Sequence, residues 1–125
     1  MNYVMFRGDT LILSIAVKQK LEGEEVPVDL TGASIWMTAK RKASDKDAAA
    51  VFQVTTPTDI VIDPDPLTGR AYVTVPPAAT ASVTFPENVA QIDLLYDIQV
   101  ETQTGIVQTV ANGKLSVVRD ITQAG

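Results

Sequence analysis

The most regular alternation of apolar and polar side chains runs through Ile92, Leu94, Tyr96, Ile98 and Val100, with Asp93, Asp97, Gln99 and Glu101 on the other parity. A period of two places these sets on opposite faces of a half-buried strand, whereas a helix would scatter the apolar set around its circumference. Thr102 to Gly105 follows as a turn, with Gly105 suited to a positive φ. The chain then returns through Val107, Thr109 and Ala111, and Leu115 and Val117 continue that parity beyond Asn112-Gly113. Asn-Gly suits a tight hairpin turn, but the flanking segments are short, and a bulge or kink in one long strand is the better reading. Two strands alone are not stable in water, so Ile92 to Val118 predicts a second sheet over its apolar side.

The preceding segments supply that sheet. Thr10 to Lys20 reads as one strand, with Leu11, Leu13, Ile15 and Val17 on a common face. A polar turn around Gly23, an extended piece from Pro27 to Leu30 and a reversal over Asp29 to Gly32 follow. Ser34 to Lys42 alternates again, with Ala33, Ile35, Met37 and Ala39 against Ser34, Trp36, Thr38 and Lys40. Val51 to Thr55 is a short strand that Pro57 ends, and Ile60 to Ile62 with Arg70 to Val75 forms a second hairpin with Ala71, Val73 and Val75 inward. Pro76 to Ser82 starts one short helix, with Pro77 in its first turn. Tyr3 to Phe6 reads as an edge strand or as an arm reaching another subunit, and residues 119–125 read as a loose tail. The pattern predicts a single all-β domain, a two-layer antiparallel β-sandwich of about seven or eight strands with one short helical turn.

Composition narrows the chemistry. The 125 residues are 46% hydrophobic and 20% charged, a globular balance, while only 6% are aromatic, so the core is mainly aliphatic. A formal net charge of -5 gives no general electrostatic support for gripping nucleic acid. Cysteine and histidine are both absent, which removes thiolate catalysis, disulfides, thiolate or imidazole zinc sites and His-dependent triads. No segment reads as a signal peptide or a membrane span, so synthesis in a cytoplasm, with no membrane partner, is the expectation.

The remaining candidates are surfaces. Trp36 falls on the parity opposite Ile35 and Met37, which makes the single tryptophan a candidate partner contact, unless a loop covers it or it plugs the core. Lys40, Arg41, Lys42 and Lys46 form the one basic cluster, interrupted by Asp45 and Asp47. It reads as a solvated loop able to meet an acidic neighbour, without the interleaved aromatics of a nucleic-acid site. Tyr3 and Phe6 join this set through the first segment. Arg7-Gly8-Asp9 spells an adhesive tripeptide but lies where one strand bends into the next. Asp59, Asp63 and Asp65 offer oxygens for calcium, yet the interspersed prolines favour turn capping. No spacing pairs a nucleophile with a base, and no glycine-rich loop opens a helix. The chain therefore reads as non-enzymatic, with no catalytic, cofactor-binding or metal-ligating residue.

Five stretches together carry a resemblance: FRGDT from Phe6, DLTGASIWMTAKRK from Asp29, GRAYVTVPPAATA from Gly69, LLYDIQVETQTG from Leu94 and NGKLSVV from Asn112. The chain resembles the small immunoglobulin-like domain at the N-terminus of tailed-bacteriophage upper baseplate proteins and related phage tail proteins. The resemblance covers nearly the whole chain and rests on strand patterns and turn glycines. It implies an immunoglobulin-like fold and a structural role in a virion, with other tail, baseplate or neck proteins and further copies of the chain as partners. Those baseplate proteins continue beyond this domain, so a stand-alone assembly part is expected rather than a receptor-binding one. The alternative is a carbohydrate-binding or adhesive β-sandwich module.

Overall fold

The computed structural model describes residues 1–42, 44–46 and 49–120. Among them ten strands form: β1 (Tyr3–Phe6), β2 (Leu11–Ala16), β3 (Lys18–Leu21), β4 (Glu24–Pro27), β5 (Ser34–Lys40), β6 (Phe52–Thr55), β7 (Ile60–Ile62), β8 (Arg70–Val75), β9 (Gln91–Glu101) and β10 (Val107–Val118). One short helix, α1 (Pro77–Ala81), and a 3-10 turn over Pro66–Thr68 complete them. One sheet runs β1-β10-β9-β5-β6 and the other β2-β8-β7, while β3 and β4 form a separate ribbon. This is the immunoglobulin arrangement: β10, β9 and β5 with the added β6 form one layer, β2, β8 and β7 the other, and the first strand lies beside the last. Eight strands thus build the two layers, and β1 pairs with β10 in parallel, an exception to the expected antiparallel order.

The core sits where the inward parities of both layers meet. Leu94, Ile35, Met37, Ala71, Val73, Val75 and Leu115 are all fully buried. Ile98 and Val100 are nearly so, whereas Ile92 is only partly covered at its edge. Gly105 takes its expected positive φ of 91° in the β9–β10 turn, where the Thr102 N–H donates to the Ile106 carbonyl at 2.9 Å. Pro77 begins α1, whose Thr80 accepts a hydrogen bond from the Gly8 N–H at 2.9 Å. Tyr3 to Phe6 is an edge strand, not a free arm.

Three expectations need correction. The strand expected over Thr10 to Lys20 divides at Val17, whose N–H turns to the Gly69 carbonyl at 2.7 Å while its own carbonyl accepts from Val28 at 2.9 Å. Val17 stays buried, but β3 beyond it is exposed throughout and leaves the sheet. The irregularity in β10 lies between Thr109 and Ala111, and Asn112 and Gly113 pair regularly with Asp97 and Tyr96. One extra residue reverses the parity, so Val107 and Thr109 are exposed rather than aligned with Leu115. The tail is not loose at its start: the Arg119 N–H donates to the Ala90 carbonyl, and Asp120 meets Arg7 at 2.8 Å. Positions 121–125 lie outside the described residues.

The turn before β8 is capped by carboxylates. Asp63 accepts from the Asp65 N–H at 3.0 Å and from the Tyr72 hydroxyl at 2.9 Å, and Asp65 accepts from the Leu67 N–H at 3.1 Å. The Asp65 backbone bond, then the Tyr72 hydroxyl, hold the Asp63 carboxyl below its ordinary 3.8. A depressed folded-state pKa contributes stability above the unfolded value that is lost as pH falls through the folded one. Asp63→Asn is expected to flatten the loss of stability below about pH 4, read from unfolding midpoints across a pH series. The carboxyl is partly exposed to solvent, so the change is small. An unchanged acid limb would show that this bond adds no stability.

Candidate docking face around Trp36

The outer face of the five-stranded sheet is built from the polar parities of β5, β9 and β10, and their register sets three cross-strand rows. Trp36 stands opposite Gln99, which stands opposite Thr109. Thr38 meets Asp97, which meets Asn112, and Lys40 meets Leu95, which meets Lys114. All of these residues but Thr109 line an open groove of about 650 Å³, within the size range of binding sites.

Trp36 is held in place. Its indole Nε1 donates to Gln99 Oε1 at 3.0 Å, and Gln99 Nε2 in turn donates to Asp97 Oδ2 at 3.3 Å and Thr109 Oγ1 at 3.4 Å. Thr38 is buried and its hydroxyl accepts from Gln53 Nε2 at 2.9 Å. The aromatic ring therefore loses little further freedom on binding a partner.

The charges at the far end are engaged sideways. Lys40 Nζ donates to the Asp45 carbonyl at 2.9 Å, and Lys114 lies 3.6 Å from Asp93. Hydrogen bonds from Gln91 and then Ser116 hold the Asp93 carboxyl below its ordinary range, with Lys114 adding to the effect. The first two residues border the groove: Asn2 Oδ1 accepts from the Lys114 N–H at 3.0 Å, the Met1 ammonium donates to the Asn112 carbonyl at 2.8 Å, and the Tyr96 hydroxyl donates to the Met1 carbonyl. Gly113 permits this approach, because a Cβ there would overlap the Met1 backbone.

The sequence-derived candidates separate in space. Trp36 and Lys40 share the groove, and Trp36 points away from the Ile35 and Met37 core as its parity predicts. Tyr3 is half-buried, with its ring 5.8 Å from that of Tyr96, so it is a packing residue rather than a surface contact. Phe6 is exposed on β1 together with Val4. Arg41 and Lys42 are exposed in the bend after β5, and of these three cations only Lys40 lines the groove. Asp47 and Ala48, which complete that loop, lie outside the described residues. Arg7 of the adhesive tripeptide is occupied: it binds Asp120, donates to the Val83 carbonyl at 2.9 Å and lies 5.0 Å from the Phe85 ring centre.

Sequence reasoning missed Leu95, Asp97, Gln99, Asn112 and Lys114 as groove residues. The outward parity of β9 was visible, but the register that sets Gln99 opposite Trp36 joins segments far apart in the chain. Chemically the groove offers one fixed indole, one carboxylate, the ammonium groups of Lys40 and Lys114 and several amide and hydroxyl groups, which suits recognition by contact and hydrogen bonding.

No family model matches the chain, and no curated protein matches it. Among solved structures the chain is similar to AggA, the major subunit of aggregative adherence fimbriae type I of Escherichia coli, at 12% identity. That similarity covers 95% of this chain and 89% of the other with a TM-score of 0.29.

Proposed function

We propose that this chain is a non-enzymatic structural part of a tailed-phage particle, made in the host cytoplasm and docked in the virion against tail, baseplate or neck proteins. The observation that carries the docking role is the Trp36 groove, where a large aromatic is fixed by the Gln99 bond at the head of a concave sheet face. Anchored aromatics of this kind supply most of the binding energy at protein interfaces. The phage setting comes from the resemblance of the Phe6, Asp29, Gly69, Leu94 and Asn112 stretches to baseplate domains.

Trp36→Ala tests the reading. Its side chain lies outside the core, so the variant is expected to unfold within about 1 kcal/mol of wild type. Its copy number in purified virions, counted by quantitative mass spectrometry, is expected to fall at least about tenfold, as loss of an interface anchor worth roughly 2 kcal/mol requires. Unchanged incorporation would reject the groove as the docking face, and absence of the wild-type chain from virions would reject the structural role.

A second reading rests on the same groove. An indole beside Asp97, Gln99 and Asn112 is also a chemical set that holds a sugar ring, with stacking below and hydroxyl hydrogen bonds at the rim. Glycan-array binding abolished by Asp97→Ala, with virion incorporation intact, would favour that carbohydrate-binding module.

A further inference from the structure

The three-stranded sheet ends at β2, and the alternation of its ladder identifies which backbone groups the end leaves open. Val17 donates to the Gly69 carbonyl across to the β8 side, and Leu13 stands opposite Val73. In an antiparallel ladder every second residue directs its N–H and C=O to the same neighbour. Leu11, Leu13 and Ile15 therefore bond β8, and Ile12, Ser14 and Ala16 direct theirs to the open side. The same alternation holds on β8, where the Thr74 N–H turns to Asp59 beside β7. Among the described residues, no turn, loop or side-chain hydrogen bond reaches the backbone of Ile12, Ser14 or Ala16.

The same three residues are exposed through their side chains, Ile12 at 69%. The apolar surface continues across the outer face through Tyr72, opposite Ser14 and Val61, with Val61 itself exposed. Natural edge strands are blunted by charges, proline, bulges or shortness. β2 has none of these: it is six residues of Leu, Ile, Ser and Ala, against four in β1 and β6 and three in β7, the other edges of the two layers.

We propose that β2 is a homotypic docking edge, on which a second copy of this chain pairs its own β2 antiparallel about a twofold axis at Ser14. That register sets Ser14 opposite Ser14 and Ile12 of each copy opposite Ala16 of the other, so a large side chain meets a small one and no like charges face each other. All three open residues of each copy then fall in hydrogen-bonded pairs, and every open donor and acceptor is satisfied. A second copy is the occupant because the strand is self-complementary in this register, and because the pairing keeps a chain of net charge -5 free of charge repulsion along the seam. The two three-stranded sheets merge into one of six strands, carrying the apolar stripe of Ile12, Tyr72 and Val61 across the axis. This edge is separate from the Trp36 groove and stands whatever the groove binds.

Sedimentation velocity of the purified chain over a concentration series tests it. Wild type is expected to move from the 13.4 kDa monomer toward twice that mass. Ser14→Pro removes an N–H that faces the open side and leaves the β8 ladder intact, and Ile12→Lys places a charge at the seam. Each is expected to weaken dimerisation at least about tenfold while the circular dichroism and midpoint of the dilute monomer stay unchanged. Should the proline variant misfold, Ile12→Lys alone decides. A wild-type chain that stays monomeric, variants that dimerise normally, or a dimer that only Trp36→Ala disrupts would each overturn the proposal.

Discussion

Gly69→Ala is expected to lower the thermal unfolding midpoint by roughly 10 °C. Gly69 is buried, takes a φ of 69°, and caps the 3-10 turn by donating to the Pro66 carbonyl. A Cβ built there would lie 2.5 Å from the Val17 carbonyl oxygen and 3.2 Å from both the Val28 nitrogen and oxygen. These are backbone atoms of one crossing, in which Val17 donates to Gly69 and accepts from Val28. They cannot yield as a side-chain tip would, since relieving the overlap separates the end of β2, the segment after β4 and the turn into β8. The left-handed backbone adds about 1 kcal/mol, and a displaced hydrogen bond with its overlap brings the total to about 3 kcal/mol. Gly105→Ala is the control: φ is 91° but nothing lies within 4 Å of its Cβ, so only the backbone penalty applies. Equal midpoints for the two variants would mean that the Val17–Val28 crossing is not tightly packed.

The same crossing shows where pattern reading stops. Leu11, Leu13, Ile15 and Val17 keep one parity and one buried side, so nothing local announces that the ladder ends at Val17. The break is made by residues far along the chain, Gly69 and Val28. β9 was legible because its apolar parity is enforced from one face only, and a slip by one residue would expose Leu94, Ile98 and Val100 together. β10 was half legible. Asn112-Gly113 carries a strong turn signal, but what requires Gly113 is the Met1 backbone packed against it, and the extra residue sits at Val110, where the sequence shows only a valine.

The candidate site divides in the same way. The outward direction of Trp36 follows from its own strand, while its anchor Gln99 and the carboxylate beside it follow from the pairing of β5 with β9. Tyr3 looked like part of an exposed segment, yet alternation on a four-residue strand turns it inward and leaves Val4 and Phe6 outside. Arg119 and Asp120 looked like the start of a free tail, but the guanidinium groups of Arg7 and Arg119 both lie over the Phe85 ring, at 5.0 and 5.2 Å from its centre. Such a cluster joins three segments and has no signature in any one of them. Which strands lie at sheet edges is likewise a property of topology, so the open side of β2 could not be read from LILSIA.

Adjacent residues of β9 are expected to give opposite results, which tests the two-layer arrangement on which the groove depends. Leu94 is fully buried, stands opposite the equally buried Leu115, and lies where the aliphatic parities of both sheets converge. Leu94→Ala removes that volume from a closed interior and is expected to cost about 3 kcal/mol, read from chemical denaturation with an unchanged m-value. Leu95, one position on, is 41% exposed between Lys40 and Lys114 on the outer face. Leu95→Ala is expected to change stability by no more than about 0.5 kcal/mol, because water already reaches the site and no enclosed cavity is left. Under the proposed docking role, its effect is expected instead on incorporation into particles, through the lost apolar end of the groove. Similar destabilisation by both variants would mean that β9 is covered on both faces, which would leave Trp36 no open surface to present, and a neutral Leu94→Ala would place the core elsewhere than between these sheets.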